Sequence, residues 1–210
     1  MDSLIYILFV AIFVPILLMT CLVDKRSRHP LVFVLIGIFL SVFASEINAY
    51  LRNILPMTPF EVTIVVTPIS EEILKALPIL FFATILSPKK EAVFTASMAI
   101  GIGFAVLENA FYMLNDASFN MIDAIVRAFG AGLMHGMCTL LVGVGILFVK
   151  KKRKLFVVGT FAMLSTAITY HGIYNMLIGS DFQAIGFLLP IATYIPFMVW
   201  RIKKLRKKKS

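Results

Sequence analysis

The sequence predicts an all-α fold, a polytopic transmembrane helix bundle of about seven spans. Three observations lead there. The 210 residues are 60% hydrophobic and only 15% charged, with nineteen Phe, which is too apolar for a water-soluble domain of this length. Apolar runs long enough to cross ~30 Å of hydrocarbon recur along the chain. The basic residues, which leave a net charge of +9, fall in short clusters between those runs, the pattern by which a membrane protein sets its orientation. Charge parcelled in this way speaks against a nucleic-acid partner. Cys21 and Cys138 both lie inside apolar runs, so no disulfide framework is indicated.

Taken in order, the spans read approximately 3–23, 31–51, 60–86, 92–114, 122–149, 155–178 and 184–200, a single transmembrane domain over 1–210. Met1-Asp2-Ser3 lacks the positive region of a signal peptide and no small-x-small cleavage site follows, so the first run is expected to stay as a helix. The first loop carries Lys25, Arg26 and Arg28, the second only Arg52, and the third Lys89 and Lys90. Residues 115–120 contain no basic residue, 150–154 are all basic, and 179–181 again contain none. Basic and non-basic ends alternate, which puts the N-terminus outside and the C-terminus in the cytoplasm of a multi-pass cell-membrane protein. The tail, 201–210, reads as a stop-transfer anchor, with anionic lipid of the inner leaflet as a further partner.

The third span holds Pro68-Ile69-Ser70-Glu71-Glu72-Ile73-Leu74-Lys75. Three ionisable groups within five positions of an apolar run are expensive, at ~2.5 kcal/mol or more each. Glu71 and Lys75 are four apart and share a helical face, Glu72 and Lys75 are three apart, and Glu71 points about 100° away from Glu72. One Glu is therefore free to face a cavity while Lys75 holds the other. Pro68 suits a first helical turn, and Pro78 is expected to bend the helix just beyond the charges.

Other spans carry polar residues at matching depth. Counted from its own cytoplasmic end, Glu71 is sixteen residues before Ser87, Glu108 seventeen after Glu91, His135 fifteen before Lys150 and His171 seventeen after Lys154. At ~1.5 Å per residue all four lie roughly 22–26 Å above the inner boundary. Glu46 lies there too. The agreement predicts one polar cluster open to the extracytoplasmic side. Asn175 follows His171 by one turn on the same face. Glu46 and Asn48 read as glue between spans, Arg127 as a snorkelling residue with a topological role, and Cys138 as packing. Glycines 101, 103, 130, 132, 136, 143 and 145 read as sites of close helix packing.

The set Glu71-Glu72-x-x-Lys75, Phe104-x-x-x-Glu108, His135 and His171-x-x-x-Asn175 resembles the PrsW family, within the superfamily of CAAX prenyl endopeptidases and bacteriocin-processing enzymes. The resemblance covers about 60–178, the expected catalytic core. It implies a bacterial glutamic-type intramembrane protease that makes the first, extracytoplasmic cut in a single-span anti-sigma factor, the step that starts sigma-factor activation in a stress response. The prenyl branch carries His where this chain has Glu108, which makes a prenylated substrate a poorer match.

Peptide hydrolysis needs an activated water and a partner for the developing oxyanion. The scheme expected from these residues makes Glu71 the base, a choice between Glu71 and Glu72 that rests mainly on the resemblance, with Glu108 holding the water. His171 and Asn175 donate to the carbonyl oxygen, and His135 positions water or a carboxylate. Glu72 and Lys75 form an orienting pair, and Asn109 is a further orienting residue. This scheme uses no metal. A zinc site built from His135, His171, Glu108 and Glu71 is the competing one. A proton-coupled transporter and a non-catalytic membrane scaffold are the readings from other classes, and the chain lacks the two-fold repeat usual for the former.

Overall fold

The computed structural model describes residues 2–115, 120–149 and 154–207, and every element among them is helical. In chain order these are α1 (Asp2–Leu22), α2 (Lys25–Ile54), α3 (Pro59–Glu61), α4 (Thr67–Ile85), α5 (Lys90–Asn115), α6 (Met121–Ile125), α7 (Gly132–Val149), α8 (Lys154–Ile178) and α9 (Gln183–Lys207). Two π-helical segments, Val62–Val66 and Val126–Ala131, join α3 to α4 and α6 to α7. The described chain is thus seven long rods, of which 59–85 and 121–149 each carry one π segment. The basic run at 150–153 and the loop at 116–119 lie outside the described residues.

Local chemistry sets the rod ends. Asp24 caps α2 by accepting from the Ser27 N–H at 2.7 Å, and that bond holds its carboxyl below the usual carboxylate range. Arg28 folds back, its Nε donating to Thr20 O at 3.1 Å and its Nη2 to Val23 O at 3.1 Å, so the last carbonyls of α1 are satisfied. The expected loop with Lys25, Arg26 and Arg28 is therefore the start of α2, and Pro30 lies within that helix. Thr58 with Glu61 and Asn120 with Asp123 form capping boxes at the heads of rods 59–85 and 121–149. The tail is helical as far as Lys207.

Among the described residues, four segments are long and apolar enough to cross a bilayer: Leu4–Leu22, Lys25–Ile54, Lys90–Asn115 and Met121–Leu147. Rod 59–85 falls short of that apolar standard because it carries Glu71, Glu72 and Lys75, and α9 adds an apolar stretch over Gln183–Val199.

The core lies where α5, α7, α4 and α8 meet, around Ile79, Ile100, Met134, Val142, Ile146 and Ala167. α2 runs along α5, and α1 lies outside against α2 and α5 through Ile5, Ile38, Val42 and Leu107. Glycine lets the backbones touch. A Cβ on Gly37 would run into Ile100 O, one on Gly103 into Val34 O, and one on Gly101 into His135 O. The last contact brings α7 onto α5 at the turn that carries His135. Gly132 has nothing within 4 Å of a Cβ position, so its expected packing role is not realised.

Gly101→Ala should therefore destabilise the protein by about 1–3 kcal/mol, since backbone cannot yield as a side chain does. Gly132→Ala should be neutral or gain up to about 1 kcal/mol from helix propensity. Unfolding of the two variants in detergent measures the contrast, and equal losses would contradict the packing described.

Candidate active site

Lys75 is the largest of the fully buried side chains. A buried ammonium has three hydrogens and no escape to water, so it needs three acceptors. It finds them in Glu72 Oε1 at 2.6 Å, His135 Nδ1 at 2.8 Å and the face of Phe104, 4.4 Å from the ring centroid. One lysine so ties α4 to α5 and α7.

That geometry assigns the histidine protons. An ammonium only donates, so His135 Nδ1 accepts and its own hydrogen sits on Nε2, which donates to Glu108 Oε2 at 2.9 Å. Glu72 Oε1 takes a second hydrogen from His171 Nδ1 at 2.9 Å. The lone pair of His171 is then on Nε2, turned toward Glu71 Oε2 at 4.0 Å. The two imidazole rings meet edge to face, 4.9 Å apart.

Glu71 Oε1 accepts from Asn48 Nδ2 at 3.1 Å, and Asn48 Oδ1 accepts from Ser70 Oγ at 2.5 Å. Glu71 Oε2 is buried and has no hydrogen-bond donor, as is true of Glu72 Oε2. Unpaired buried carboxylate oxygens are costly. Glu71 and Glu108 also line a cavity of about 470 Å³, with Asn48, Arg52, Thr67 and Tyr112 among its walls. The cavity opens at the end of the bundle where α2 and α5 finish and rod 59–85 begins. It connects the buried network to the surface.

The π segments supply the rest of the frame. In the first, Thr67 N–H bonds to Val62 O, five residues back. The next such bond would come from residue 68, which is proline and has no N–H. Thr63 O is left over, and Asn175 Nδ2 donates to it at 3.0 Å. Asn175, expected as a donor to substrate, here fastens α8 to rod 59–85. At the second segment Arg127 O already accepts the Gly132 N–H, and an asparagine adds a second bond to it. Asn109 Nδ2 donates to Arg127 O at 3.2 Å, while Arg127 Nε donates back to Asn109 Oδ1 at 3.2 Å.

Most of the expected residues converge, namely Glu71, Glu72, Lys75, Glu108, His135 and His171. Glu46 does not. It is exposed and accepts from Tyr6 OH at 2.9 Å, because its side chain leaves α2 on the face toward α1. Two members were not read as part of the cluster, although Asn48 does glue α2 to rod 59–85 as expected. Asn48 holds Glu71, and only its spacing from Glu46, two residues and about 200° around the helix, hints at an inward face. Arg127 turns inward instead of snorkelling, with Nη2 3.5 Å from Glu108 Oε2 and its guanidinium 3.7 Å from the Tyr112 ring centroid. Cys138 points its thiol at Ala167 O, 3.4 Å away, as a packing residue would.

A family model described as PrsW family intramembrane metalloprotease matches residues 25–201. The chain belongs to this family. It is thus an intramembrane peptidase and a multi-pass membrane protein, and the match holds every residue of the network while leaving out α1. No curated protein and no solved structure matches it.

The PrsW family description raises a metal, and Glu71 and His171 fit one as they stand, whereas both ring nitrogens of His135 are engaged by Lys75 and Glu108. Glu71, His135 and His171 each offer a ligand atom, all within 4.8 Å of one another. Two imidazoles and a carboxylate suit zinc. The oxygen that Glu71 leaves without a donor lies in this group, and Glu72 holds the far nitrogen of His171, an arrangement typical of metal-ligating histidines.

Removing Lys75 alone strands Glu72, so Lys75→Met should cost about 3–5 kcal/mol in stability. Adding Glu72→Gln should recover part of that loss, read from unfolding of the single and double variants. Strictly additive losses would mean that the pair does not act as one unit.

Proposed function

We propose that this PrsW-family peptidase cuts a single-span membrane protein of the anti-sigma-factor kind on its extracytoplasmic side, using a divalent metal held by Glu71 and His171 and joined by His135 once its Nε2 gives up its hydrogen and its bond to Glu108. One observation carries the metal reading: Glu71 Oε2, buried and without a donor, faces the lone pair of His171 Nε2 at 4.0 Å beside a water-reachable cavity. When bound, a zinc-class ion supplies a Lewis acid and a water that ionises near neutral pH.

The chain's own groups do the remainder. Lys75 neutralises Glu72, and Glu72 keeps the His171 hydrogen on Nδ1, so that Nε2 is available toward the cleft. Asn48 fixes the rotation of Glu71. Glu108, part-exposed on the cavity wall, is the base for the water proton and returns it to the leaving amine. Seven crossings with the N-terminus outside, the orientation expected from the loop charges, turn the cavity mouth to the extracytoplasmic face, where the outer domain of a substrate lies. The basic tail then meets anionic lipid at the inner leaflet.

A specific contact favours the metal-free alternative. His135 spends Nδ1 on Lys75 and Nε2 on Glu108, which suits a ring that orients a carboxylate, with Glu71 itself as base.

Reconstituted protein with a single-span anti-sigma reporter separates these schemes. The metal reading expects about one bound ion per chain, cleavage lost on chelation and restored by zinc, and Glu71→Gln and His171→Ala reduced at least a hundredfold. Full activity in a metal-free sample would move the assignment to Glu71 as base. Unchanged cleavage in every variant, including Glu108→Gln, would remove the peptidase site from this network.

A further inference from the structure

The cavity that leads to Glu71 has a charge layout that bears on what it accepts. Its lining includes three charged residues: Glu71 and Glu108 at the inner end, and Arg52. The other lining side chains are neutral, among them Ser45, Asn53 and Asn115. Arg52 is exposed and lies in the last turn of α2. Arg127, the other arginine near this end, is committed to Glu108, Asn109 and the Tyr112 ring. Arg52 also stands on the non-basic end of the topology expected from the loop charges, where the distribution of Lys and Arg gives no reason for a cation.

The position of Arg52 relative to the network follows from α2. Asn48 touches Glu71 at 3.1 Å, and Arg52 is four residues further on, one turn or ~6 Å toward the mouth. In an extended peptide, residues two apart are separated by ~6.7 Å and point the same way. A cavity of about 470 Å³ holds a few extended residues, whereas a helix with its side chains is already 10–12 Å across. A peptide with its cleaved bond beside Glu71 therefore brings a side chain two or three residues away to Arg52. An acidic side chain close to the bond meets Glu71 and Glu108 and is repelled. One at the mouth meets a guanidinium.

We infer that Arg52 is a specificity-determining residue. It selects substrates that present an extended segment with an Asp or Glu two or three residues from the cleaved bond. The inference rests on the peptidase reading of the site and is independent of whether a metal is used. The plainer role of a cation in the last turn of α2, complementing the helix dipole, predicts no dependence on substrate charge.

The test uses full-length protein in liposomes and a single-span reporter whose cut bond is located by mass spectrometry. Glu, Gln or Lys is then placed two and three residues to either side of that bond. Wild type should cut the best Glu reporter about tenfold faster than the Lys reporter, since attraction is exchanged for repulsion across a partly solvated pair. Arg52→Glu should reverse the order, Arg52→Gln should flatten it, and Arg52→Lys should keep it. A wild type indifferent to reporter charge, or an Arg52→Glu variant with the wild-type order, overturns the inference and leaves the peptidase reading standing. So does an Arg52→Glu variant that unfolds at the wild-type temperature and cuts no reporter. Failure of wild type to cut any reporter would remove the peptidase reading and the inference with it.

Discussion

A lysine with no exposed surface, deep in an apolar bundle, is the constraint on which the rest of this structure depends. Lys75 cannot reach water, so its charge must be answered by groups brought from other helices. Glu72 answers it from one turn back, His135 from α7 and Phe104 from α5. Those demands lock the tautomer of His135 directly and that of His171 through Glu72. They also consume Glu72, which leaves Glu71 as the adjacent acid free to turn toward the cavity. Two neighbouring glutamates thus acquire different tasks because Lys75 engages Glu72 while Asn48 holds Glu71 toward the cavity.

A second layer of organisation comes from broken helices. Each π segment is tied by an asparagine from another rod: Asn175 satisfies Thr63 O, and Asn109 adds a second bond to Arg127 O, which the Gly132 N–H already reaches. At the first segment, the missing N–H of Pro68 explains why that carbonyl is free. These ties hold the mouth of the cavity in shape at the end where the rods would otherwise fray. The second segment also turns Arg127 inward to Glu108, so that the acid on the cavity wall has a fixed neighbour on each side.

The helical architecture and the membership of the network were largely legible in the sequence. Apolar runs are a strong signal, and ionisable residues at equal depth in separate runs have few reasons to exist other than contact. Spacing placed both glutamates within reach of Lys75, and the structure pairs it with Glu72. What was not legible depended on rotation or on local breaks. Glu46 and Asn48 are two residues apart on α2 and equally polar, and nothing in a single sequence says which one faces inward. Arg127 lies in a π segment and Asn175 bonds to the carbonyl of another, and such segments shift the helical phase with no clear compositional mark. Pro68 was read as suiting a first helical turn and does lie in the first turn of α4, where its missing N–H also frees the carbonyl of Thr63. Asp24 was a legible cap that moved the start of α2 ahead of Pro30. Gly132 looked like its packing neighbours because open space on a helix leaves no trace in composition.

The proton positions on the two buried imidazoles test the account most directly. The chain has three histidines, and replacing His29 with Gln leaves only His135 and His171 to observe. Nitrogen-15 NMR of histidine-labelled, metal-free protein in detergent should then show two neutral rings of opposite tautomer, hydrogen on Nε2 in His135 and on Nδ1 in His171. Two rings of the same tautomer, or a His135 carrying its hydrogen on Nδ1, would mean that Lys75 does not donate to it and would contradict the network described.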